Sequence, residues 1–103
     1  MTPVSIVQER DTQREVAALI QREGVTARFF FGDVILEGFS IIHDNTPYVV
    51  INTALPVERQ RHVAHRELAH IRLHHLQEGT SSLFLSDFEK YQAEAEARKG
   101  IAL

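Results

Sequence analysis

Cysteine is absent from this chain of 103 residues, and that absence excludes several kinds of site. Without thiols the protein has no disulfide, no zinc site built from thiolates and no cysteine nucleophile. The absence fits a reducing compartment. The N-terminus also lacks the basic start and the long apolar stretch of a signal peptide. We therefore expect a cytoplasmic protein.

Long apolar runs and excess positive charge are also missing. No run approaches the ~20 residues that a helix needs to cross a bilayer, so we expect no membrane partner. The formal net charge is -3 with the histidines neutral. Sequence-independent DNA binding needs clustered positive charge instead. The composition therefore argues against direct nucleic acid binding.

No internal repeat or linker divides the sequence, so one domain is predicted over residues 1–103. Residues 1–10 are predicted to form a loose N-terminal arm. A first helix is predicted from about Asp11 to Glu23, because Asp11 can cap its start and Gly24 supplies the expected end.

A β-type pattern follows the first helix. Gly38, inside this region, is interpreted as a bulge. Because the turns are short, the strands are predicted to form a three-stranded antiparallel meander. Three segments rich in β-branched and aromatic residues carry this prediction: Val25–Phe31, Val34–His43 and Tyr48–Asn52.

Two more helices are predicted to complete the domain. Pro56 suits a first helical position, where the missing donor is not needed. Apolar residues then recur at spacings of three and four, so one face should meet the sheet and the helix should end near Gly79. A last helix is predicted from Ser86 or Asp87 to about Lys99. The predicted fold class is therefore α+β.

Five of the six histidines lie in the long helix. Zinc peptidases carry H-E-x-x-H on such a helix, because two imidazoles one turn apart converge on one tetrahedral ion. Glu67 and His70 match this signature. The position one turn before His70 is Arg66, whose guanidinium stays protonated and offers no lone pair to a metal. The first histidine of the signature is therefore missing.

Alternatives for the missing ligand stay open. His65 is rotated by about 140° from His70, so joint binding of a metal needs a one-residue π-bulge. His62 has roughly the correct direction but lies about 12 Å from His70 along the axis. His74 falls on the stripe of Glu67 and His70, which would make Glu67 a ligand. Otherwise His74 and His75 are interpreted as structural.

Several motifs occur in a characteristic order. Val49-Val-Ile-Asn-Thr-Ala-Leu-Pro56 is a short apolar strand followed by a Leu-Pro turn, and Arg59-Gln-Arg61 and Arg66-Glu-Leu-Ala-His70 follow it. Gly24-Val25, Glu37-Gly38 and a Glu-Ala-rich stretch over 94–97 extend the pattern. This order resembles that of the ImmA/IrrE family of small zinc metallopeptidases, over nearly the whole chain.

The resemblance implies a minimal zincin-like domain with zinc as its cofactor. It implies that His70 is the second metal histidine and that Glu67 activates a bound water. It implies Glu94, on the last helix, as the third metal ligand, and a helix bulge would let His65 serve as the first. Two further glutamates are fallback choices for the third ligand: Glu96 and Glu89.

The resemblance also implies a role in regulation, because family members cut repressors of mobile elements or stress circuits. We therefore predict a protein substrate or partner, such as a helix-turn-helix repressor. One hypothesis is a zinc peptidase that recovers His65. A second is a metal-free, inactive module in which Arg66 replaces the metal, pairs with Glu67 or Glu94 and holds a partner without cutting it. A third is a small α+β protein whose histidines have no function.

Overall fold

Helices and one sheet make up the part of the chain that the structure describes. This computed structural model describes residues 3–102, with side chains described for residues 11–99. The elements in chain order are α1 (Pro3–Gln21), β1 (Thr26–Phe30), β2 (Gly38–His43), β3 (Thr46–Asn52), α2 (Val57–Arg72), a short 3-10 helix (Ser82–Phe84) and α3 (Asp87–Ala102). The predicted α+β class is confirmed.

The sheet is mixed, so the prediction of an antiparallel meander is wrong. Its strand order is β1-β3-β2, and β1 runs parallel to β3 while β2 runs antiparallel to it. Only β2 and β3 form a tight hairpin. Its turn residues Asp44 and Asn45 have φ values of 50 and 62, as a type I′ turn requires. The link from β1 to β2 is instead a crossover loop that passes the end of β3.

A buried asparagine explains why β2 does not pair with β1. The Nδ2 atom of Asn52, at the end of β3, donates to the carbonyl oxygens of Gly32, Asp33 and Leu36. These bonds hold the loop over the end of β3 and carry the chain to the far edge. The strand predicted to begin at Val34 therefore begins only at Gly38.

Gly38 marks a close approach of backbone, and the bulge interpretation is wrong. Pairing between β2 and β3 runs without interruption from Gly38 and Ile51 to His43 and Thr46. A Cβ atom on Gly38 would lie 2.6 Å from the Val50 carbonyl oxygen and 2.8 Å from a methyl carbon of Val63. Only glycine, which has no Cβ atom, therefore allows β2 to pack this closely against both β3 and α2.

The hydrophobic core lies between α2, α1 and one face of the sheet. Val63, Ala64 and Leu68 of α2 are fully buried, as the spacing of the apolar residues predicts. They belong to one cluster with Val49 and Ile51 of β3. Removing a side chain the size of Leu68 from water contributes roughly 2 kcal/mol, so this face fixes the orientation of α2. The polar residues of α2 outside this face are then held at one end of the sheet.

The long helix ends at Arg72, seven residues before the predicted end at Gly79. His74 follows with a φ of 57, in the left-handed region. The amides of His74 and His75 donate to the carbonyl oxygens of Ile71 and His70, which is the bond pattern of a Schellman motif. The chain therefore reverses at His74 and brings His75 back beside His70.

The two terminal helices differ from the predictions mainly in length. The backbone of α1 begins at Pro3 and not near Asp11. Residues 3–10, predicted as part of a loose N-terminal arm, have a helical backbone instead, and residues 1–2 lie outside the described residues. α3 begins at Asp87 as predicted, and a capping box between Ser86 and Glu89 fixes its start. Within the described residues, no helix is long and apolar enough to cross a membrane.

Candidate functional site

A cleft of about 500 Å³ lies between α2, α3 and the loop before β2. α2 contributes Arg66, Glu67 and His70 to its lining, and α3 contributes Glu94. Three of the residues singled out from the sequence, Glu67, His70 and Glu94, therefore share one cleft. Packing of α2 on the sheet and of α3 on α2 brings them together.

Glu67 is buried in the floor of this cleft with 2% of its surface exposed. Its Oε1 accepts a hydrogen bond of 2.8 Å from the hydroxyl of Ser40 in β2. Its Oε2 accepts one of 3.0 Å from Nε of Arg66. A buried carboxylate needs such partners, because desolvation of an unpaired charge is costly. Both oxygens are thus engaged by the protein itself.

Arg66 bridges two carboxylates. In addition to its bond with Glu67, Arg66 has its Nη1 atom 3.2 Å from Oε1 of Glu37. Glu37 also binds Arg59 through two bonds of 2.6 and 2.7 Å. The hydrogen bond from Arg59, with a smaller one from Arg66, lowers the pKa of Glu37 to about 2, although burial opposes the shift. The expected partners of Arg66 were Glu67 or Glu94. The structure shows the contact with Glu67, and the second carboxylate bound to Arg66 is Glu37 and not Glu94.

His70 is held by a chain of hydrogen bonds. Its Nδ1 lies 2.9 Å from Nδ1 of His75, and Nε2 of His75 lies 3.1 Å from Oε1 of Gln92. An amide oxygen only accepts, so His75 donates from Nε2 and, when neutral, accepts at Nδ1. His70 must then donate from Nδ1. Burial lowers the pKa of His70, more than the Glu67 charge raises it, so the ring is neutral with its lone pair on Nε2.

Glu94 has a histidine partner of its own. Its Oε1 lies 2.5 Å from Nε2 of His62, the α2 histidine that is too far along the helix to share an ion with His70. The fallback glutamates are placed differently. Glu89 belongs to the capping box, where hydrogen bonds from Ser86 lower its pKa, and Glu96 lies 3.7 Å from Lys99. Glu94 alone among these three lines the cleft.

His65 does not join this group. α2 is a regular α-helix from Val57 to Arg72, without the bulge that would turn His65 toward His70. His65 is absent from the cleft lining. Burial lowers its pKa, with a smaller contribution from Arg72. His74 is also separated from Glu67 and His70, because it follows the end of the helix and is exposed.

The side chains of the cleft do not fit a zinc site of the kind that the resemblance implies. In the part of the chain with described side chains, no group of three His, Asp or Glu residues has the geometry to hold a metal ion. The carboxylate of Glu67 is hydrogen-bonded to Arg66 and Ser40, and the carboxylate of Glu94 is paired with His62. Arg66 also supplies a fixed positive charge where the signature has its first histidine. The roles of His70, Glu94 and His65 as ligands and of Glu67 as a base stay predictions.

Most partners of the residues in this site have no signal in the sequence. The sequence predicts a structural role for His75, as for His74, with one of the two packing against the sheet and the other in solvent. Ser40 lies in a strand with no local signal of function, and the pairing of Glu37 with Arg59 joins residues far apart in the sequence. A strong signal was available only for Arg66, since a guanidinium in place of a metal ligand demands carboxylates nearby.

The fold and the cleft define a small zincin-like α+β domain whose motif helix lacks one histidine. A family model described as Peptidase M78, IrrE N-terminal-like domain, matches residues 20–103, which is most of the chain. The chain belongs to this metallopeptidase-related family. No curated protein and no solved structure shows a significant match to the chain.

Proposed function

We propose that this chain is a metal-free member of its family that binds a protein partner without cutting it. The observation that carries the proposal is the guanidinium of Arg66 on the buried carboxylate of Glu67. In a zinc peptidase the glutamate beside the first histidine must accept a proton from metal-bound water. Here the carboxylate of Glu67 is ion-paired with Arg66 and accepts a hydrogen bond from the hydroxyl of Ser40.

The charge balance of the site supports the same proposal. Arg66 faces two carboxylates, Glu67 and Glu37, and Arg59 shares Glu37 with it. A bound cation would gain little from carboxylates that are already neutralised, and it would be repelled by the guanidinium. The cleft itself stays open, so a partner can enter it. From the family resemblance, the proposed partner is a helix-turn-helix repressor.

Elemental analysis tests the proposal on protein purified without chelator or affinity metal. We expect far less than one zinc per chain for the native protein. The variant Arg66→His completes the signature over residues 66–70 and is expected to gain about one zinc, which Glu94→Gln should abolish in the double variant. Arg59→His is the matched control and should bind none. Native protein that holds one zinc, and loses it on His70→Ala, would overturn the proposal.

A zinc peptidase is the second candidate, and one observation favours it. Glu67, His70 and Glu94 line the same cleft, and the lone pair on Nε2 of His70 suits a cation. This candidate requires Arg66 to swing away when zinc binds. It predicts that zinc added to the protein starts cleavage of a repressor and that Glu67→Gln stops it. An intact repressor that nevertheless binds the protein supports the metal-free module.

A further inference from the structure

Exposed apolar side chains flank the cleft. Ile35, on the loop before β2, is 90% exposed, and Tyr91 of α3 is 71% exposed. Both line the cleft, as does the partly exposed Leu83 of the 3-10 helix. Phe84, which follows Leu83, and Phe88, three residues before Tyr91, are exposed as well. Large apolar side chains gathered at the mouth of a cleft mark a binding surface.

The two sides of the cleft differ in charge. On the floor, Arg66 pairs with the carboxylates of Glu37 and Glu67, and Arg59, outside the cleft lining, pairs with Glu37 as well. The α3 side carries Asp87, Lys90 and Glu94. Glu94 faces His62, which is charged only when protonated. When His62 is neutral, two carboxylates against one ammonium leave the α3 side negative.

An aromatic ring separates the two carboxylates of α3. Tyr91 follows Asp87 by four residues and precedes Glu94 by three, so all three occupy one face of the helix. Among residues 11–99 no ion pair is described for Asp87. A ring face with carboxylates on both sides attracts an ammonium or guanidinium group by cation–π and charge interactions. His70 adds an acceptor on Nε2 at the floor.

We propose that the cleft binds a segment of a partner protein in which a lysine or arginine is flanked by apolar residues. The proposal rests on the binding function proposed above and names the chemistry of the bound segment. The cationic side chain lies over Tyr91 between Asp87 and Glu94, and the apolar side chains contact Ile35 and Leu83. A repressor supplies the lysine and arginine that such a segment needs, because contact with DNA phosphates requires them.

Selection from a random peptide display library on the intact protein tests this proposal. We expect enrichment of peptides with a basic residue next to apolar ones. A selected peptide, labelled for fluorescence anisotropy, should bind about tenfold more weakly to Asp87→Lys and to Tyr91→Ala. Lys90→Glu should strengthen binding, a gain that partial unfolding cannot produce. Asp11→Lys changes the net charge as much as Asp87→Lys but lies on α1, outside the cleft lining, and should have no effect.

Three outcomes would overturn the proposal. They are enrichment without a basic bias, equal affinities for Asp87→Lys and Asp11→Lys, and no enrichment at all. Zinc content measured on the same preparation separates this test from the test of the proposed function. If the protein contains zinc and still selects basic peptides, the proposed chemistry of the bound segment is supported and the proposal of a metal-free module is overturned.

Discussion

Arg66 and Glu67 are neighbours in the chain, and Nε of the first lies 3.0 Å from Oε2 of the second. Side chains at adjacent helical positions normally diverge, since only residues three or four apart share a face. Here Glu67 points into the floor of the cleft while Arg66 is partly exposed beside it. The contact is stabilised because Glu37 binds the same guanidinium from the other side. Three charged groups from two parts of the chain thus form one connected network in the cleft.

Removal of the guanidinium should destabilise the fold. Arg66→Ala leaves the buried Glu67 carboxylate with only the Ser40 hydroxyl, so we expect the free energy of unfolding to fall by about 2–4 kcal/mol at pH 7. Urea unfolding followed by circular dichroism measures this change. Arg61→Ala is the control, because Arg61 pairs with Glu15 at the surface and its loss should leave the midpoint unchanged. Adding Glu67→Gln to Arg66→Ala should restore part of the loss.

Equal midpoints for Arg66→Ala and Arg61→Ala would contradict this expectation. They would mean that Glu67 finds another partner or takes up a proton at little cost. The ion pair would then contribute to the shape of the cleft and not to its stability.

Acid should weaken the fold through Glu37. Its pKa lies at about 2 because the Arg59 hydrogen bond lowers it, and an unfolded glutamate titrates near 4.5. A carboxyl whose folded pKa is depressed stabilises the protein above its unfolded pKa. That contribution is lost as pH falls from 4.5 toward 2. Because Glu37 is partly solvated, we expect about 1–2 kcal/mol from it.

The difference between native protein and Glu37→Gln isolates this contribution. Free energies of unfolding measured by urea at several pH values should differ at pH 7 and converge near pH 2, because other carboxyl groups titrate equally in both proteins. A constant difference over that range would show that Glu37 acts through packing and not through its charge.

The sequence predicted the fold class, but it missed the pairing of β1. The turn at Asp44 and the start of α3 at Asp87 follow from local residue preferences, and the structure confirms them. α2 begins one residue after Pro56, which is its N-cap and not its first helical residue. Parallel pairing of β1 with β3 has no local signal. It depends on Asn52, whose amide holds a loop from another part of the chain. Short turns suggested a meander because the tertiary role of one asparagine cannot be deduced from its neighbours.

The candidate site was predicted in the same partial way. Glu67, His70 and Glu94 were expected together, and the structure places them in one cleft. His75 was missed because the end of α2 is set by His74 in a left-handed conformation, for which glycine is the usual signal. Periodicity continued past the true end of the helix. Because the helix ends at a histidine and not at a glycine, the sequence did not indicate that His75 turns back and contacts His70.

The protonation of His70 can be checked directly. The bond chain from Gln92 through His75 predicts a proton on Nδ1 of His70 and on Nε2 of His75. Long-range proton–nitrogen correlation spectra at pH 7.5 distinguish the two tautomers of each ring. In Gln92→Leu, which removes the acceptor, we expect His75 and His70 to become mixtures of tautomers. Nε2–H on His70 in the native protein would contradict the assigned chain.

The close approach at Gly38 should make it less tolerant of substitution than Gly32, the other glycine without a positive φ among residues 11–99. An alanine Cβ would lie 2.6 Å from the backbone oxygen of Val50, and β3 cannot yield there without breaking its pairing. We expect Gly38→Ala to cost about 1–3 kcal/mol in the free energy of unfolding. Gly32→Ala is the matched control, since its Cβ would lie 3.6 Å from the Phe30 ring, an ordinary contact. A comparable midpoint for the two variants in urea would mean that β2 can move away from α2. The wall of the cleft formed by Gly38 would then be adjustable, and the position of Ser40 on Glu67 would not be fixed by the strand.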